Sequence, residues 1–275
     1  MQIGVFAKTF AGNCPEPVLT ACKTAGFKSV QYNMSCSGLP SLPESISRER
    51  AEEVRRASQV TGINVAAVSA TYNMTHPDAD QRLAGRRGFA AIAQNAARMG
   101  TDLLTLCTGS MDAEDQWRRH RANDDPGTWI EMCREFEVVL EHADQHDLVV
   151  GVEPEHANVV STARRALRLL ESFPGSAIRI VLDPANLLED VPPELQSDTL
   201  AEAIELLGPA IVIVHAKDRF ADGRVAPAGL GTVDWGRFLA GLSRIDFQGP
   251  LVAHGMSADQ APAVAAYLQD QLERL

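Results

Sequence analysis

The feature that most constrains the fold is the regular alternation of short apolar runs with longer amphipathic segments along the whole chain. The strand-like runs, rich in β-branched residues, are Gln2–Phe10, Ser29–Asn33, Ile63–Ala70, Asp102–Thr108, Leu148–Glu155, Ile178–Pro184, Ala210–Ala216 and Pro250–His254. The helix-like segments between them are Glu16–Ala25, Ser47–Thr61, Asp78–Met99, Thr128–His146, Thr162–Phe173, Thr199–Leu207, Trp235–Ser243 and Ala258–Leu275. Strand-then-helix repetition predicts parallel strands joined by crossover helices.

Eight such units in 275 residues predict an α/β fold, a closed (β/α)₈ TIM barrel that occupies residues 1–275 as a single domain. Nearly continuous apolar runs such as Ile211–Val214 suit a parallel sheet that is buried on both faces. The alternative is an open doubly wound sheet, which often carries a glycine-rich phosphate turn after its first strand. Lys8–Asn13 lacks the G-x-G-x-x-G pattern, which favours the barrel. The two longest loops, Cys36–Pro43 and Gly109–Gly127, follow strands and are expected at the catalytic mouth.

Charge and cysteine content restrict the partners of the protein. The chain carries 36 acidic and 25 basic side chains, a net charge of −11, which repels phosphate backbones and anionic lipid. We therefore expect neither a nucleic acid nor a membrane as partner. Five cysteines without a C-x-x-C pair indicate reduced thiols, and no secretory signal or 18-residue apolar window is present, so the expected location is the cytoplasm. The oligomeric state stays open, a homo-oligomer included.

Four strand-like runs in the second half of the chain end with a side chain that can bind a metal or move a proton. These residues are Glu153, Asp183, His215 and His254, separated by 30, 32 and 39 residues, about one strand–helix unit each. Because side chains alternate along a strand, all four converge at the mouth of the barrel if their faces point inward. Each residue alone is more often a helix cap or a core residue. Two carboxylates and two imidazoles together predict a site for one divalent ion, Mn²⁺, Zn²⁺, Co²⁺ or Mg²⁺.

Further polar or aromatic residues near the expected mouth are candidates for binding a substrate. They are His76, Trp117, His120, Glu155, Asn186 and Lys217. Lys217 shares the inward parity of His215 and can hold an anionic group or stabilise an enediolate; the alternative is a salt bridge to Asp183 or Asp218. For Trp117 the alternative is simple packing within its loop.

Several segments, taken in their order and spacing, carry a resemblance to a known family. They are Gly151–Glu155, Val181–Asn186, His215–Asp218 followed by Gly229–Trp235, Asn73–Pro77 and Leu106–Gly109. The sequence resembles the xylose-isomerase-like superfamily of sugar phosphate isomerases and epimerases from the Ile3 strand to the Pro250 strand. The resemblance implies a (β/α)₈ barrel with a divalent metal at the strand ends and a small sugar-type substrate.

The resemblance also implies roles for the strand-end residues. The family binds its metal through a Glu, an Asp, a His and a second Glu from strands five to eight. Glu153, Asp183 and His215 match the first three positions, whereas His254 stands where a Glu is expected. In the two-base epimerases of the family the paired Glu residues transfer protons. Here Glu153 and His254 are the predicted catalytic pair.

The function that these observations favour is a divalent-metal-dependent isomerase or epimerase of a small sugar, ketose or sugar phosphate. It would act through a metal-chelated enediolate, with Glu153 transferring the proton. One alternative is a metal-dependent lyase or dehydratase acting on a keto-sugar or cyclitol. Another is a non-catalytic sugar-binding or partner subunit with the same barrel. A phosphodiesterase resembling the endonuclease IV branch is disfavoured by the net charge of −11.

Overall fold

Eight parallel strands close into one barrel in the computed structural model, which describes residues 1–275. The strands are β1 Gln2–Phe6, β2 Ser29–Tyr32, β3 Asn64–Ser69, β4 Leu103–Leu106, β5 Val149–Val152, β6 Ile178–Leu182, β7 Ile211–Arg219 and β9 Pro250–Ala253, with a short strand β8 Val225–Pro227 outside the barrel. Neighbours in sequence pair from β1 to β7, and β9 closes the ring by pairing with both β7 and β1. The predicted (β/α)₈ barrel is confirmed.

Ten helices connect the strands. They are α1 Pro15–Thr24, α2 Arg48–Thr61, α3 Ala79–Ala93, α4 Ala96–Met99, α5 Pro126–Gln145, α6 Ala163–Ser172, α7 Pro184–Leu187, α8 Pro193–Leu207, α9 Trp235–Arg244 and α10 Ala261–Glu273. None of them combines the length and the apolar character that a bilayer-crossing helix needs.

Two helices differ most from their predicted extents. The segment Asp78–Met99 is two helices because the backbone tightens at Asn95, whose N–H donates to the Ile92 carbonyl instead of continuing the α-helical pattern. The Asn95 side chain also donates to the Ala91 carbonyl, which secures this turn. The helix expected from Thr199 begins at Pro193, where the fixed φ of proline suits a first helical turn.

Strand β7 is longer than the predicted Ala210–Ala216 because Lys217–Arg219 pairs antiparallel with β8. Asp218 fixes this hairpin: its buried carboxylate accepts hydrogen bonds from Trp235 Nε1 and from the backbone N–H groups of Gly229 and Val233. The hairpin is therefore held by buried hydrogen bonds at the carboxyl end of β7, next to the mouth of the barrel.

The strands bury apolar side chains on both of their faces. A cluster of 65 buried residues fills the layer between strands and helices. A separate cluster lies inside the barrel and consists of Ala67, Leu103, Val181, Ile213 and Val252. Because Val181, Ile213 and Val252 face the barrel axis, the residues two positions further along their strands point to the same side.

Candidate active site

The four strand-end residues of the second half of the chain meet at one point. They are Glu153 after β5, Asp183 after β6, His215 on β7 and His254 after β9, and each offers a ligand atom within 4.8 Å of the others. Their convergence follows from the alternation of side chains along strands whose preceding inward positions fill the barrel interior. The arrangement that the sequence spacing predicts is therefore present in the fold.

Asp183 connects several residues of this cluster through hydrogen bonds and ion pairs. Its Oδ1 accepts the N–H groups of Ala185 and Asn186 and so caps α7, which leaves Oδ2 to face the other side chains. Oδ2 lies 2.9 Å from Lys217 Nζ and 3.2 Å from His254 Nε2. Lys217 thus forms the ion pair with Asp183 that was one of its two predicted roles.

The second carboxylate, Glu153, is also fixed by its neighbours. Its Oε1 lies 3.0 Å from His215 Nδ1 and accepts a hydrogen bond of 2.8 Å from Asn186 Nδ2. Asn186 in turn accepts a hydrogen bond from Lys217 Nζ through its Oδ1. Asn186 therefore links Glu153 to Lys217, and Glu153 Oε2 faces the thiol of Cys107 at 3.6 Å.

Neighbouring basic groups shift the pKa values of the two carboxylates downward, against the effect of burial. Burial alone raises the pKa of Asp183, but Lys217 and the two imidazoles hold it well below its usual value. Burial likewise opposes ionisation of Glu153, and the adjacent His215 leaves its pKa lowered overall. Both residues are therefore anionic at neutral pH, which is the form that binds a cation.

The donor set fits a divalent metal ion. Carboxylate oxygens and neutral imidazole nitrogens suit Zn²⁺, Mn²⁺ and Co²⁺ in this combination. Without a metal, the anions Glu153 and Asp183 are balanced by Lys217 and by a charged His215, whose pKa is raised to about 9 despite its burial. If a divalent cation replaces the proton of His215, the buried cluster holds the carboxylates of Glu153 and Asp183, the ammonium of Lys217 and the metal ion. Lys217 thus supplies a positive charge beside the four candidate metal ligands.

A cavity of about 380 Å³ opens directly above the cluster. This volume lies in the range of pockets that enclose small ligands. Its walls include Glu153, Glu155, Lys217 and His254 together with Trp117 from the long loop after β4. Burial and the nearby Glu153 raise the pKa of Glu155 to about 7. The cavity therefore presents hydrogen-bonding groups and aromatic surface to a ligand.

Two residues predicted to bind substrate lie away from this cavity. His76 Nε2 is 3.1 Å from the Ala113 carbonyl and its Nδ1 accepts the N–H of Asp78, so the ring joins two loops. His120 Nδ1 accepts the N–H of Ala122. Both imidazoles are engaged with loop backbone, and neither lines the mouth cavity. Their assignment as substrate ligands stays a prediction.

Sequence reasoning did not single out Gln31 and Cys107, which both touch the cluster. Gln31 Oε1 lies 2.9 Å from His215 Nε2, and Cys107 Sγ lies 3.6 Å from Glu153 Oε2. Burial, with the charge of Glu153, holds the pKa of the Cys107 thiol well above its usual value. The available signal was weak: Gln31 is a polar residue inside a short buried strand, and Cys107 directly follows one.

Comparison with known proteins identifies the family. The family model described as "Xylose isomerase-like TIM barrel" matches residues 19–275, and the chain belongs to this family. The family resemblance that the sequence motifs carry is therefore confirmed. A comparison with curated protein sequences gives no match.

Solved structures of the same fold include several named as sugar epimerases. The 3-keto-D-glucoside 4-epimerase of E. coli is 20% identical, with a TM-score of 0.78 over 98% of this chain and 99% of that chain. A D-psicose 3-epimerase is 16% identical, with a TM-score of 0.77 over 99% of each chain. A magnesium-bound xylose isomerase-like TIM barrel protein from Mycobacterium smegmatis is 15% identical, with a TM-score of 0.74 over 98% of this chain and 96% of that chain. At these identities the likeness establishes the fold alone.

Proposed function

We propose that the protein is a divalent-metal-dependent isomerase or epimerase of a small sugar, ketose or sugar phosphate. The observation that carries the proposal is the meeting of Glu153, Asp183, His215 and His254 within 4.8 Å, next to a cavity of about 380 Å³ that Glu153 and His254 line. The names of two structural neighbours, a 3-keto-D-glucoside 4-epimerase and a D-psicose 3-epimerase, support a sugar as the substrate class.

The metal would be held by Glu153, Asp183 Oδ2, His215 Nδ1 and His254 Nε2, the atoms that face one another in the cluster. When bound, a divalent ion polarises a carbonyl and an adjacent hydroxyl and so acidifies the carbon-bound hydrogen between them. Lys217 stays beside Asp183 and adds a second positive charge near the developing oxyanion.

Glu153 is the base that removes this carbon-bound proton in our proposal. Its Oε1 is occupied by Asn186 and His215, while the residue also lines the cavity and so reaches a ligand. His254 lines the same cavity, and in a state in which its Nε2 does not hold the metal it is the group that exchanges a proton on the other side of the substrate. Glu155 and Trp117 bind the hydroxyls and the apolar face of the sugar.

A metal-dependent lyase or dehydratase is the second candidate, and Glu155 is the observation that favours it. Its pKa of about 7 leaves this carboxyl partly protonated at neutral pH. A protonated carboxyl in the cavity can donate a proton to a departing hydroxyl after Glu153 has removed the proton from the neighbouring carbon. The same first step therefore leads to elimination or to isomerisation.

Solvent exchange and metal content test the proposal together. The purified protein is assayed for bound metal by elemental analysis and incubated in D₂O with a panel of ketoses, keto-glycosides and their phosphates. We expect deuterium at the carbon beside the carbonyl, lost in Glu153→Gln and retained in Asp222→Asn, which removes an exposed carboxylate paired with Arg224. An isomerised product supports the first function, and a product lighter by one water supports the lyase.

Absence of both bound metal and exchange across the panel would contradict the proposal. Tight sugar binding without exchange would instead assign the barrel to a non-catalytic sugar-binding subunit.

A further inference from the structure

The two ring nitrogens of His215 face different groups. Nδ1 points to the carboxylates, 3.0 Å from Glu153 Oε1 and 3.8 Å from Asp183 Oδ2. Nε2 points across the barrel interior to Gln31 Oε1 at 2.9 Å. Gln31 lies on β2, 184 residues from His215 in sequence, and is only 2% exposed. The pair is therefore a contact that the closed barrel makes between two almost fully buried side chains.

The amide of Gln31 is oriented by two hydroxyls on neighbouring strands. Its Nε2 donates to Thr105 Oγ1 at 2.8 Å and to Ser69 Oγ at 3.1 Å, so both amide hydrogens are used. The carbonyl oxygen Oε1 is then the atom left to face His215. An amide oxygen accepts hydrogen bonds and cannot donate them, so the proton between the two residues belongs to His215 Nε2.

A neutral imidazole carries its proton on one nitrogen and its lone pair on the other. We propose that Gln31 is a positioning residue that keeps a proton on His215 Nε2, so that Nδ1, which faces the carboxylates, is the nitrogen that gives up its proton and binds a metal ion. The metal as the ligand of Nδ1 rests on the proposed function. The contact between Gln31 and His215 does not.

This role differs from mere packing in what it predicts. Methionine has nearly the volume of glutamine but cannot accept the Nε2 proton, so Gln31→Met leaves His215 Nε2 and the Ser69 and Thr105 hydroxyls without their partner. Gln31→Glu keeps an acceptor at the same distance from the ring. If Gln31 only fills space, Gln31→Met should behave like the wild type. If Gln31 is a positioning residue, Gln31→Glu should behave like the wild type and Gln31→Met should not.

The test uses Zn²⁺ as the probe and two readouts that do not involve turnover. The first is the ¹H–¹⁵N resonance of the His215 Nε2–H group, recorded with and without Zn²⁺ and assigned by its loss in His215→Ala. The second is the Zn²⁺ dissociation constant. In Gln31→Met we expect the Nε2–H proton to move upfield and Zn²⁺ affinity to fall by roughly 10–100-fold, the usual effect of losing such an outer partner.

Three further variants complete the experiment. Gln31→Glu should restore both the downfield proton and the affinity, and Ser69→Ala should cause a smaller loss because Thr105 still holds the amide. Gln248→Met, an exposed position, controls for the glutamine-to-methionine change itself. Thermal unfolding of each variant verifies that it is folded.

The outcomes separate this inference from the proposed function. Two results would overturn the role of Gln31. One is a proton on His215 Nδ1 in the Zn²⁺-loaded wild type, and the other is a wild-type resonance and Zn²⁺ affinity in Gln31→Met. If the wild type does not bind Zn²⁺, the metal-dependent function fails. The metal-free Nε2–H resonance then still decides whether Gln31 accepts that proton.

Discussion

The imidazole rings of His215 and His254 lie edge to face with their centroids 4.7 Å apart, yet their pKa values are shifted in opposite directions. Burial lowers the pKa of both rings. For His215 the carboxylates of Glu153 and Asp183 more than offset burial and raise the pKa to about 9. For His254 the charges of His215 and Lys217 add to burial, and the pKa falls to about 4 although Asp183 opposes the shift.

The metal-free protein should therefore show two widely separated histidine titrations at this site. We expect the His215 Cε1–H resonance to titrate near pH 9 and that of His254 near pH 4 in NMR spectra of protein treated with a chelator. The raised pKa of His215 adds stability that is complete below its unfolded value of about 6.5 and lost as the pH rises through about 9. The lowered pKa of His254 makes stability fall as the pH drops from about 6.5 through 4. A single shared midpoint for both rings would contradict the assigned contacts.

His254 should act chiefly as a metal ligand. Its Nε2 lies 3.2 Å from Asp183 Oδ2 inside the cluster, so His254→Ala should lose bound metal and turnover together, measured in one preparation. His254→Glu adds a negative oxygen ligand and should shift metal preference toward Mg²⁺ or Mn²⁺. Full metal with low kcat in His254→Ala would assign the ring to proton transfer instead. Full metal with full turnover would exclude both roles.

Trp117 should contribute to substrate binding rather than to the chemical step. It is 51% exposed and lines the mouth cavity, whereas Trp129 and Trp235 are 7% and 1% exposed. Acrylamide quenching of tryptophan fluorescence therefore reports mainly on Trp117, and a sugar ligand should protect it. Trp117→Ala should raise KM with little change in kcat, and Trp117→Phe, which keeps an aromatic face, should raise it less. An unchanged KM in Trp117→Ala would favour the loop-packing alternative.

Glu135 on α5 should be a major determinant of stability away from the site. Its carboxylate is 2% exposed, pairs with Arg82 and Arg86 of α3, and accepts a hydrogen bond from the Tyr72 hydroxyl. Removing one partner of a buried ion pair leaves the others uncompensated, so Glu135→Ala should lower the free energy of unfolding by about 3 kcal/mol.

Denaturant titration measures this loss. The matched control is Glu44→Ala, which removes an exposed carboxylate paired with Arg87 and should lower the free energy of unfolding far less, because solvent screens this pair. Equal effects of the two substitutions would show that the Glu135 cluster is not stabilising.

Much of the fold and the four candidate metal ligands could be predicted from local sequence patterns. The apolar runs mark every barrel strand, and the inward parity of Val181 and Ile213 fixes the direction of Asp183 and His215. Contacts made by single residues across the barrel could not be predicted in this way. Gln31 meets His215 only because β2 and β7 face one another across the closed barrel, and no spacing in sequence records this distance.

The orientation of side chains in the loops could not be predicted from sequence for a related reason. His76 lies in the loop after β3 and His120 in the loop after β4. Side chains in irregular segments do not alternate in direction as they do along a strand, so the sequence does not show which of them point toward the barrel axis. In the fold both ring nitrogens of His76 and the Nδ1 of His120 are engaged with loop backbone groups. The polar end of β7 likewise gave no strand signal, because its pairing depends on β8 and on the buried Asp218.

The pairing of β9 with β1 has a consequence for how the protein matures. Gln2 lies opposite Pro250, so the ring is completed by segments from nearly opposite ends of the chain. The strand that completes it also carries His254 into the cluster. A nascent chain that has not yet released β9 has neither a closed barrel nor a fourth ligand, so the quartet of ligands cannot assemble before β9 is available. Closure of the ring and completion of the cluster therefore depend on the same strand.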